Sequence, residues 1–214
     1  MKGVYFGNIH SFRDLNLILE PFTPTPATPQ TNFLQVPGRD GVLDLTEANG
    51  EVKFNSRDFS IPFTIVPGDD LTFDERVSRV SSLLNGVQCK ITFERDPDFY
   101  WIGRCAVEKY AQNKNIGQVV IKATVNPYKL KQSATETTVS LSGAEQSVTL
   151  ANGRMAAVPT ITCTGRTVIT FGGETFTLEA GTHKQPGIRL VEGNNVLKLS
   201  GTGSVTFTYQ EGAL

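Results

Sequence analysis

Hydrophobic and polar residues alternate along most of this chain. Alternation over short segments bounded by Gly, Pro, Asn or Asp is typical of half-buried β-strands. Pro62 lies inside one such segment, and because proline cannot donate to a ladder, we expect an edge position or a bulge there. The pattern predicts a mainly β protein, with strands in the first part of the chain at residues 15–19, 59–65, 89–93, 101–107 and 116–125.

One segment instead has the spacing of an amphipathic helix. Thr72 and Glu75 form a capping box before it, and Asn85-Gly86 can end it in the left-handed conformation. A helix this short is marginal alone, so its apolar stripe must pack on a sheet, whereas Arg76 and Arg79 lie off the stripe and should be solvated. The stripe consists of Phe73, Val77, Val80 and Leu84.

The composition changes near Gln132, after which aromatic residues become rare and Thr, Ser, Val and Gly dominate. We therefore predict two domains: residues 1–131, a β-sandwich-like domain with one α-helix, and residues 132–214, a small β-sandwich. The strands expected in the second domain are residues 137–141, 147–150, 157–163, 167–171, 174–178, 187–191, 195–199 and 204–209.

Two segments of the first domain indicate irregular structure. Residues 21–29 contain four prolines, which hold the backbone extended, so we expect an exposed excursion from the first sheet. Asn49-Gly50 is a hairpin signal. Leu43 and Leu45 precede it and Val52 and Phe54 follow it, which predicts that these two segments pair.

Charge and composition exclude several classes of protein. The 20 Lys+Arg and 21 Asp+Glu nearly cancel, so the chain lacks the basic surface that specific nucleic-acid binding requires. No apolar run approaches the roughly 20 residues of a membrane span, and no signal peptide is apparent, so we expect synthesis in the cytoplasm. The three cysteines have no CxxC spacing and are interpreted as small buried hydrophobic residues in a reducing compartment.

A tight turn at residues 36–46 combines an Arg with two Asp residues. Arg39 offers a planar donor fork, and Asp40 and Asp44 offer acceptors. The three side chains form either a binding site or a reciprocally paired corner. Turns favour Pro, Gly and Asp for backbone reasons, which favours the second interpretation.

Residues 94–100 form a second corner dense in carboxylates and aromatic residues. Asp96 and Asp98 suggest a metal or glycosidase site, and Tyr100 and Trp101 suggest sugar stacking. A calcium loop needs more oxygen ligands and a closing Glu, and a glycosidase needs two carboxylates on separated elements. We therefore interpret this segment as a structural corner or a subunit contact.

No catalytic motif is present. Both histidines are isolated from any Cys or Ser motif, no glycine-rich phosphate loop follows a strand, and no metal-ligand spacing occurs. We predict a protein that is not an enzyme and that has no catalytic residues, no metal site and no cofactor.

Taken in order, the motifs resemble the distal tail protein family of long, flexible-tailed bacteriophages. Each motif is weak alone, but the series covers the whole first domain at compatible spacing. It consists of Phe6-Gly7-Asn8-Ile9-His10-Ser11, Pro37-Gly38-Arg39-Asp40-Gly41, Asn55-Ser56-Arg57, the helix, Asp96-Pro97-Asp98-Phe99-Tyr100-Trp101-Ile102-Gly103-Arg104 and Asn126-Pro127-Tyr128-Lys129.

The resemblance implies a structural virion protein at the tail tip. Family members form a hexameric ring between the last ring of the tail tube protein and the tail-associated hub, which carries the receptor-binding proteins. The first domain builds the ring around a channel through which the genome passes, and the second is a galectin-like β-sandwich that serves as a docking surface. On this basis Arg39, Asp40, Asp44, Asp96, Asp98, Tyr100 and Trp101 are candidates for the subunit interface.

An alternative of a different class is a carbohydrate-binding module or adhesin that contacts host glycans. It requires an exposed aromatic platform, and Tyr100 and Trp101 are the best candidates. Larger family members carry extra carbohydrate-binding modules inserted in the second domain, for which this chain has no room.

Overall fold

The computed structural model describes residues 3–48, 50–65, 71–113 and 116–214. Contacts divide the chain into two compact units, Met1–Lys129 and Leu130–Leu214. Each unit is mainly β, and each has its own hydrophobic cluster. None of the helices in these residues has the length and hydrophobicity that crossing a membrane requires.

The first unit is built on one antiparallel sheet in the strand order β2-β1-β7-β8-β9-β6-β3. Outside this path, β4 pairs with β5. The elements are β1 (Val4–Phe6), β2 (Ile9–His10), α1 (Ser11–Leu15), β3 (Leu17–Leu19), β4 (Phe33–Leu34), β5 (Leu43–Asp44), β6 (Arg57–Ile65), α2 (Phe73–Leu84), β7 (Gln88–Phe93), β8 (Phe99–Asn113) and β9 (Ile116–Val125).

The predicted helix is confirmed as α2, with the capping box of Thr72 and Glu75 in place. Val77, Val80 and Leu84 are buried in the same cluster as the inward side chains of the sheet. The prediction for Arg76 is wrong: the side chain is only 7% exposed, because it folds back over the first turn and its Nε donates to the Leu71 carbonyl at 3.1 Å. Arg79 is exposed, as expected.

Pro62 lies where β6 loses one neighbour. β6 pairs along its whole length with β9 but with β3 only through residues 63–65. The Pro62 carbonyl accepts from the Glu20 N–H at 3.0 Å, just past the end of β3. The missing N–H lies on the same side of the strand and therefore interrupts no further pairing. The expected edge position or bulge is not found, because β6 lies between β9 and β3; the proline is tolerated because the pairing with β3 ends beside it, at Phe63.

A short helix, α1, occupies part of a segment for which the pattern predicts a strand. His10 caps it, with Nδ1 accepting from the Arg13 N–H at 3.0 Å, and Asn16 ends it at φ 54°. The strand predicted at residues 15–19 is therefore shorter and begins at Leu17. A histidine cap and a helix of one turn leave no periodicity in the sequence.

In the second unit, strand β17 takes part in two groups of strands. Its first half pairs with β12 and β14, and its second half pairs with β11 and β13. The remaining elements of the chain are β10 (Lys129–Lys131), β11 (Thr135–Ser142), β12 (Gln146–Asn152), β13 (Thr160–Cys163), β14 (Thr167–Phe171), β15 (Glu174–Leu178), β16 (Gly181–Lys184), β17 (Gly193–Tyr209) and β18 (Gly212–Ala213).

Two glycines mark the change of partner along β17. Gly201 and Gly203 have φ 135° and φ 90°, which L-residues with a side chain rarely adopt. A Cβ on Gly201 would lie 2.3 Å from the Arg166 carbonyl oxygen. The strand can therefore pass from one group to the other only where side chains are absent, and both groups cover one buried cluster.

Several strands of the second unit differ from the sequence prediction. Residues 195–199 and 204–209 form one continuous strand, and β16 was not predicted. No strand forms at residues 187–191: Leu190 makes only an isolated bridge to Ala157, although Ile188 and Leu190 are both fully buried. In this loop the alternation of apolar and polar residues reflects the burial of Ile188 and Leu190 and not the hydrogen-bond pairing of a β-strand.

Candidate assembly surface

Residues 28–48 and 50–55 form an excursion from the first sheet that we call the arm. Its two sides run antiparallel: the Asn55 N–H donates to the Thr28 carbonyl at 2.9 Å, and Pro29 bridges Phe54. Farther out, Phe33 pairs with Asp44. The excursion expected from the four prolines is therefore present, and it continues beyond them.

The prediction of a hairpin across Asn49-Gly50 is wrong in its partners. Leu43 pairs with Leu34, and the Gln30 N–H donates to the Lys53 carbonyl at 2.8 Å. Both segments flanking Asn-Gly therefore pair with the residues after the proline-rich segment instead of with each other. Asn49 itself lies outside the described residues.

The tip of the arm is the turn at residues 36–41. The Arg39 N–H donates to the Val36 carbonyl at 3.2 Å, and Gly38 has φ 80°. Pro37 and Gly38 occupy the central positions of this turn, as a type II turn requires. The turn fixes the backbone that carries Arg39 and Asp40, so their side chains project from a defined point.

The charged side chains of the tip are exposed and do not form a reciprocally paired corner. Neither Arg39 nor Asp40 has an ion-pair partner in the part of the chain that the structure describes. Asp44 instead accepts from the Thr46 N–H at 2.9 Å. Hydrogen bonds from the Thr46 side chain and backbone lower the pKa of Asp44 below its usual value. Arg39 and Asp40 are therefore available to another molecule.

The arm also exposes large apolar side chains. Phe33, Leu34 and Val42 are 54%, 49% and 53% exposed. Among the described residues of the arm none is buried, and none belongs to either hydrophobic cluster. A two-stranded hairpin without a core is marginally stable in water. Exposed apolar side chains grouped in this way make the arm the candidate contact surface of the first unit.

Buried interactions hold the base of the arm. Arg57 is 7% exposed, its Nε donates to the Thr25 carbonyl at 2.6 Å, and Nη1 donates to the Pro127 carbonyl at 3.2 Å. Burial lowers the pKa of this guanidinium, which remains charged. Phe54 packs edge-on against Tyr128, with ring centroids 5.9 Å apart. The arm is thus anchored at its base, while its described residues show no comparable support at the tip.

The aromatic residues of the second corner do not form an exposed platform. Tyr100 and Trp101 are only 6% and 4% exposed. Trp101 lies edge-on between Phe59 and Phe93, at centroid distances of 5.4 and 5.6 Å. The expectation that Tyr100 and Trp101 serve as surface anchors or stack on a sugar is therefore wrong, because the sheet buries them in its core.

The two aspartates of this corner, Asp96 and Asp98, have different environments. Asp96 is half-buried and accepts from Lys129 Nζ at 2.6 Å, and the Lys129 ammonium also lies 4.4 Å from the centroid of the Phe99 ring. Asp98 is exposed. No group of three or more His, Cys, Asp or Glu side chains that could hold a metal ion occurs in the described residues. Asp96 has a structural partner, whereas Asp98 faces solvent.

The sequence did not predict the exposed apolar side chains of the arm or the buried arginine that anchors its base. Phe33, Leu34 and Val42 fit the alternation of a half-buried strand, and only the absence of a covering layer among the described residues exposes them. Arg57 carried no signal beyond its motif, because its acceptors are carbonyl groups far away in the sequence. The sequence contains one indication of a paired excursion with apolar side chains. Apolar residues stand on both sides of the Pro-Gly-Arg-Asp-Gly turn, Phe33 and Leu34 before it and Val42 and Leu43 after it.

Comparison with known proteins decides the family. Residues 7–125, more than half of the chain, match the family described as "Phage tail protein RIFT-related domain". The chain belongs to this family. It is therefore a phage tail protein, and the resemblance inferred from the motifs is confirmed. No curated protein matches the sequence.

The fold is also similar to that of a solved phage protein. The crystal structure of the Dit protein (gp 19.1) of phage SPP1 superposes with a TM-score of 0.75 at 14% identity and covers 100% of both chains. That protein is described as a paradigm of the hub adsorption apparatus in phages that infect Gram-positive bacteria. At this identity the likeness shows the fold, and the mainly β, Dit-like architecture agrees with the predicted fold class.

Proposed function

We propose that this phage tail protein forms a homo-hexameric ring at the tail tip, between the last ring of the tail tube protein and the tail-associated hub. Residues 1–131 build the ring, and residues 132–214, as a galectin-like domain, provide a docking surface for the hub and the receptor-binding proteins. The genome passes through the ring channel without specific recognition. The protein acts as a structural joint and not as an enzyme.

The observation that carries this proposal is the arm. It places the exposed side chains of Phe33, Leu34 and Val42 on the same excursion as Arg39 and Asp40, which have no ion-pair partner among the described residues. This combination of apolar anchors with an arginine fork is typical of protein interfaces. In the ring, a neighbouring molecule covers these side chains and so stabilises the arm.

A second copy of the chain is the occupant that ring closure requires. A ring forms by heterologous contacts, in which two different patches of the same protein meet. The first unit exposes further large apolar side chains away from the arm, at 40% for Leu83 and Val87, 56% for Tyr110 and 58% for Ile116. These residues supply surface for the second patch. An Arg39–carboxylate contact would fix the register of the subunits more than it would add affinity.

The rival proposal, a glycan-binding module, loses its main support. The only tryptophan of the chain, Trp101, is buried among Phe59 and Phe93. Sugar stacking needs an exposed aromatic face, so ring assembly is the better supported of the two functions.

The deciding experiment measures assembly of the purified protein. Light scattering over a concentration series, with negative-stain images of the largest species, should show a closed ring with a central hole. If rings do not form alone, they should form when the tail tube protein and the hub protein are co-expressed. A species that remains monomeric with both partners present would overturn the proposal.

A further inference from the structure

Two cysteine thiols lie against each other in the first unit. Cys89 is on β7 and Cys105 is on the neighbouring strand β8, and their Sγ atoms are 3.9 Å apart. Both are free thiols, with Cys105 fully buried and Cys89 half-buried. The two sulfur atoms are within hydrogen-bond distance, with either able to donate, and the exposed part of Cys89 gives a small reagent access to the pair.

The backbone explains why the two sulfur atoms meet although they are not direct cross-strand partners. The residue paired with Cys89 is Gly103, so Cys89 has no side chain of a direct cross-strand partner beside it. Two residues farther along, Cys105 faces a β-bulge: its carbonyl accepts from the Gly86 N–H, and its N–H donates to the Val87 carbonyl, both at 2.8 Å. Gly86 has φ 78°, as this type of bulge requires. The added twist brings diagonal neighbours closer together.

The two thiols differ in reactivity. The hydrogen bond with Cys105 lowers the pKa of the Cys89 thiol. The same hydrogen bond, together with burial, raises the pKa of Cys105. Cys89 is also the thiol of the pair that solvent reaches, since Cys105 is fully buried. Because the thiolate is the nucleophile in disulfide exchange, Cys89 is suited to attack first and Cys105 to resolve.

We propose that Cys89 and Cys105 form an oxidation site that closes to an intramolecular disulfide when the protein meets a small-molecule disulfide such as oxidised glutathione. The Cys89 thiolate attacks one glutathione sulfur and releases the first glutathione thiol. Cys105 then loses its proton and attacks Cys89 Sγ, which releases the second. Two protein thiols are oxidised, one glutathione disulfide is reduced, and two glutathione thiols leave.

The cross-link would join two strands that are already paired and would therefore lock the β7–β8 ladder beside the C-terminal end of α2. This inference concerns the single chain and does not depend on ring formation. It gives the protein a reduced form, suited to a reducing cytoplasm, and an oxidised form, suited to an oxidising exterior.

The test compares thiol counts and peptide maps of the native protein before and after incubation with oxidised glutathione. The reduced protein should show three thiols after denaturation, and the oxidised protein should show one. Peptide mapping without reductant should find the peptides of Cys89 and Cys105 joined, with loss of two hydrogen atoms. Three remaining thiols after prolonged incubation, or a link to Cys163, would overturn the proposal.

Single variants assign the order of events. Cys105→Ser should retain one glutathione on Cys89, whereas Cys89→Ser should remain unmodified under the same conditions. Cys163→Ser is the matched control, because Cys163 lies in the second unit, and it should form the cross-link as the parent does. If circular dichroism shows that Cys105→Ser does not fold, Cys105→Ala provides the same measurement. Glutathione bound to Cys105 in the Cys89→Ser variant would contradict the assigned order of attack.

Discussion

The Nε of Arg57 donates to the carbonyl of Thr25 at 2.6 Å and so joins the first residue of β6 to the proline-rich segment. A second bond from Nη1 reaches the Pro127 carbonyl. One buried guanidinium thus connects the base of the arm to the sheet and to the turn after β9. Arg57 therefore fixes the base of the arm to the sheet.

Arg57→Met should loosen the arm without unfolding the unit. The substitution keeps an apolar stem at a site where the guanidinium lies 5.2 Å from the Phe59 centroid, but it leaves two carbonyl groups without their donor. We expect a loss of about 1–3 kcal/mol in the free energy of unfolding and faster proteolysis within residues 28–55. Arg79→Met, at an exposed position of α2, is the control. Equal cleavage rates in the parent and Arg57→Met would contradict the anchoring role.

Phe33→Asp should abolish assembly and leave the protomer folded. Phe33 is 54% exposed, so the free energy of unfolding should change by no more than about 0.5 kcal/mol. A charge in an apolar interface is costly, which should lower the ring population at every concentration in light scattering. Val196→Asp, at a 57% exposed position in the second unit, is the matched control. If Phe33→Asp assembled as well as the parent, the arm would not be part of the subunit interface.

Arg39→Ala should give a folded protomer that assembles poorly. Lysine cannot reproduce the bidentate fork, so Arg39→Lys should recover only part of the assembly. Arg79→Ala controls for the loss of one positive charge. Size-exclusion chromatography with light scattering measures the ring fraction of each variant; a fraction unchanged in Arg39→Ala would show that the tip does not contribute to the contact.

Gly201→Ala should destabilise the second unit. The backbone at φ 135° is unfavourable for alanine, at a cost of about 1–3 kcal/mol, and the added Cβ would also meet the Arg166 carbonyl oxygen at 2.3 Å. Gly143→Ala separates the two effects, because Gly143 has φ 95° but an added Cβ there would meet no atom within 4 Å. Urea unfolding should show the larger loss for Gly201→Ala, and equal losses would contradict a steric contribution.

Glu94 should make folding sensitive to acid. The Gly3 N–H, which donates to Glu94 at 2.6 Å, and His10, whose Nε2 lies 3.2 Å from the carboxylate, lower its pKa below the usual value of 4.5. The stabilisation is therefore complete above pH 4.5 and is lost as the pH falls through the lower folded-state pKa. Urea titrations should show that the parent exceeds Glu94→Gln in stability at about pH 7 and that the difference shrinks in this acid range. Glu47→Gln, at an exposed position, is the control. If the difference in stability between the parent and Glu94→Gln did not change with pH, ionisation of the Glu94 carboxylate would not be the cause of the acid sensitivity.

Local patterns were sufficient where neighbours in the sequence decide the structure. Thr72 and Glu75 cap α2 because both partners lie within one turn, and residues 116–125 alternate because one face of β9 is buried along its whole length. The order of short motifs also led to the family, since each motif marks a turn whose backbone demands particular residues.

Which alternating segments are covered follows from tertiary contacts. Phe33 and Val42 have the pattern of a half-buried strand but no layer over them among the described residues, whereas Tyr100 and Trp101 occupy a corner that resembles a surface yet lie in the core. Arg57 is buried because the carbonyl groups of Thr25 and Pro127, both distant in sequence, accept its hydrogen bonds. The β-rich class, the main helix and the family can be read from the amino-acid order; exposure, and with it the candidate contact surface, depends on chain segments far apart in sequence, whose approach no local pattern encodes.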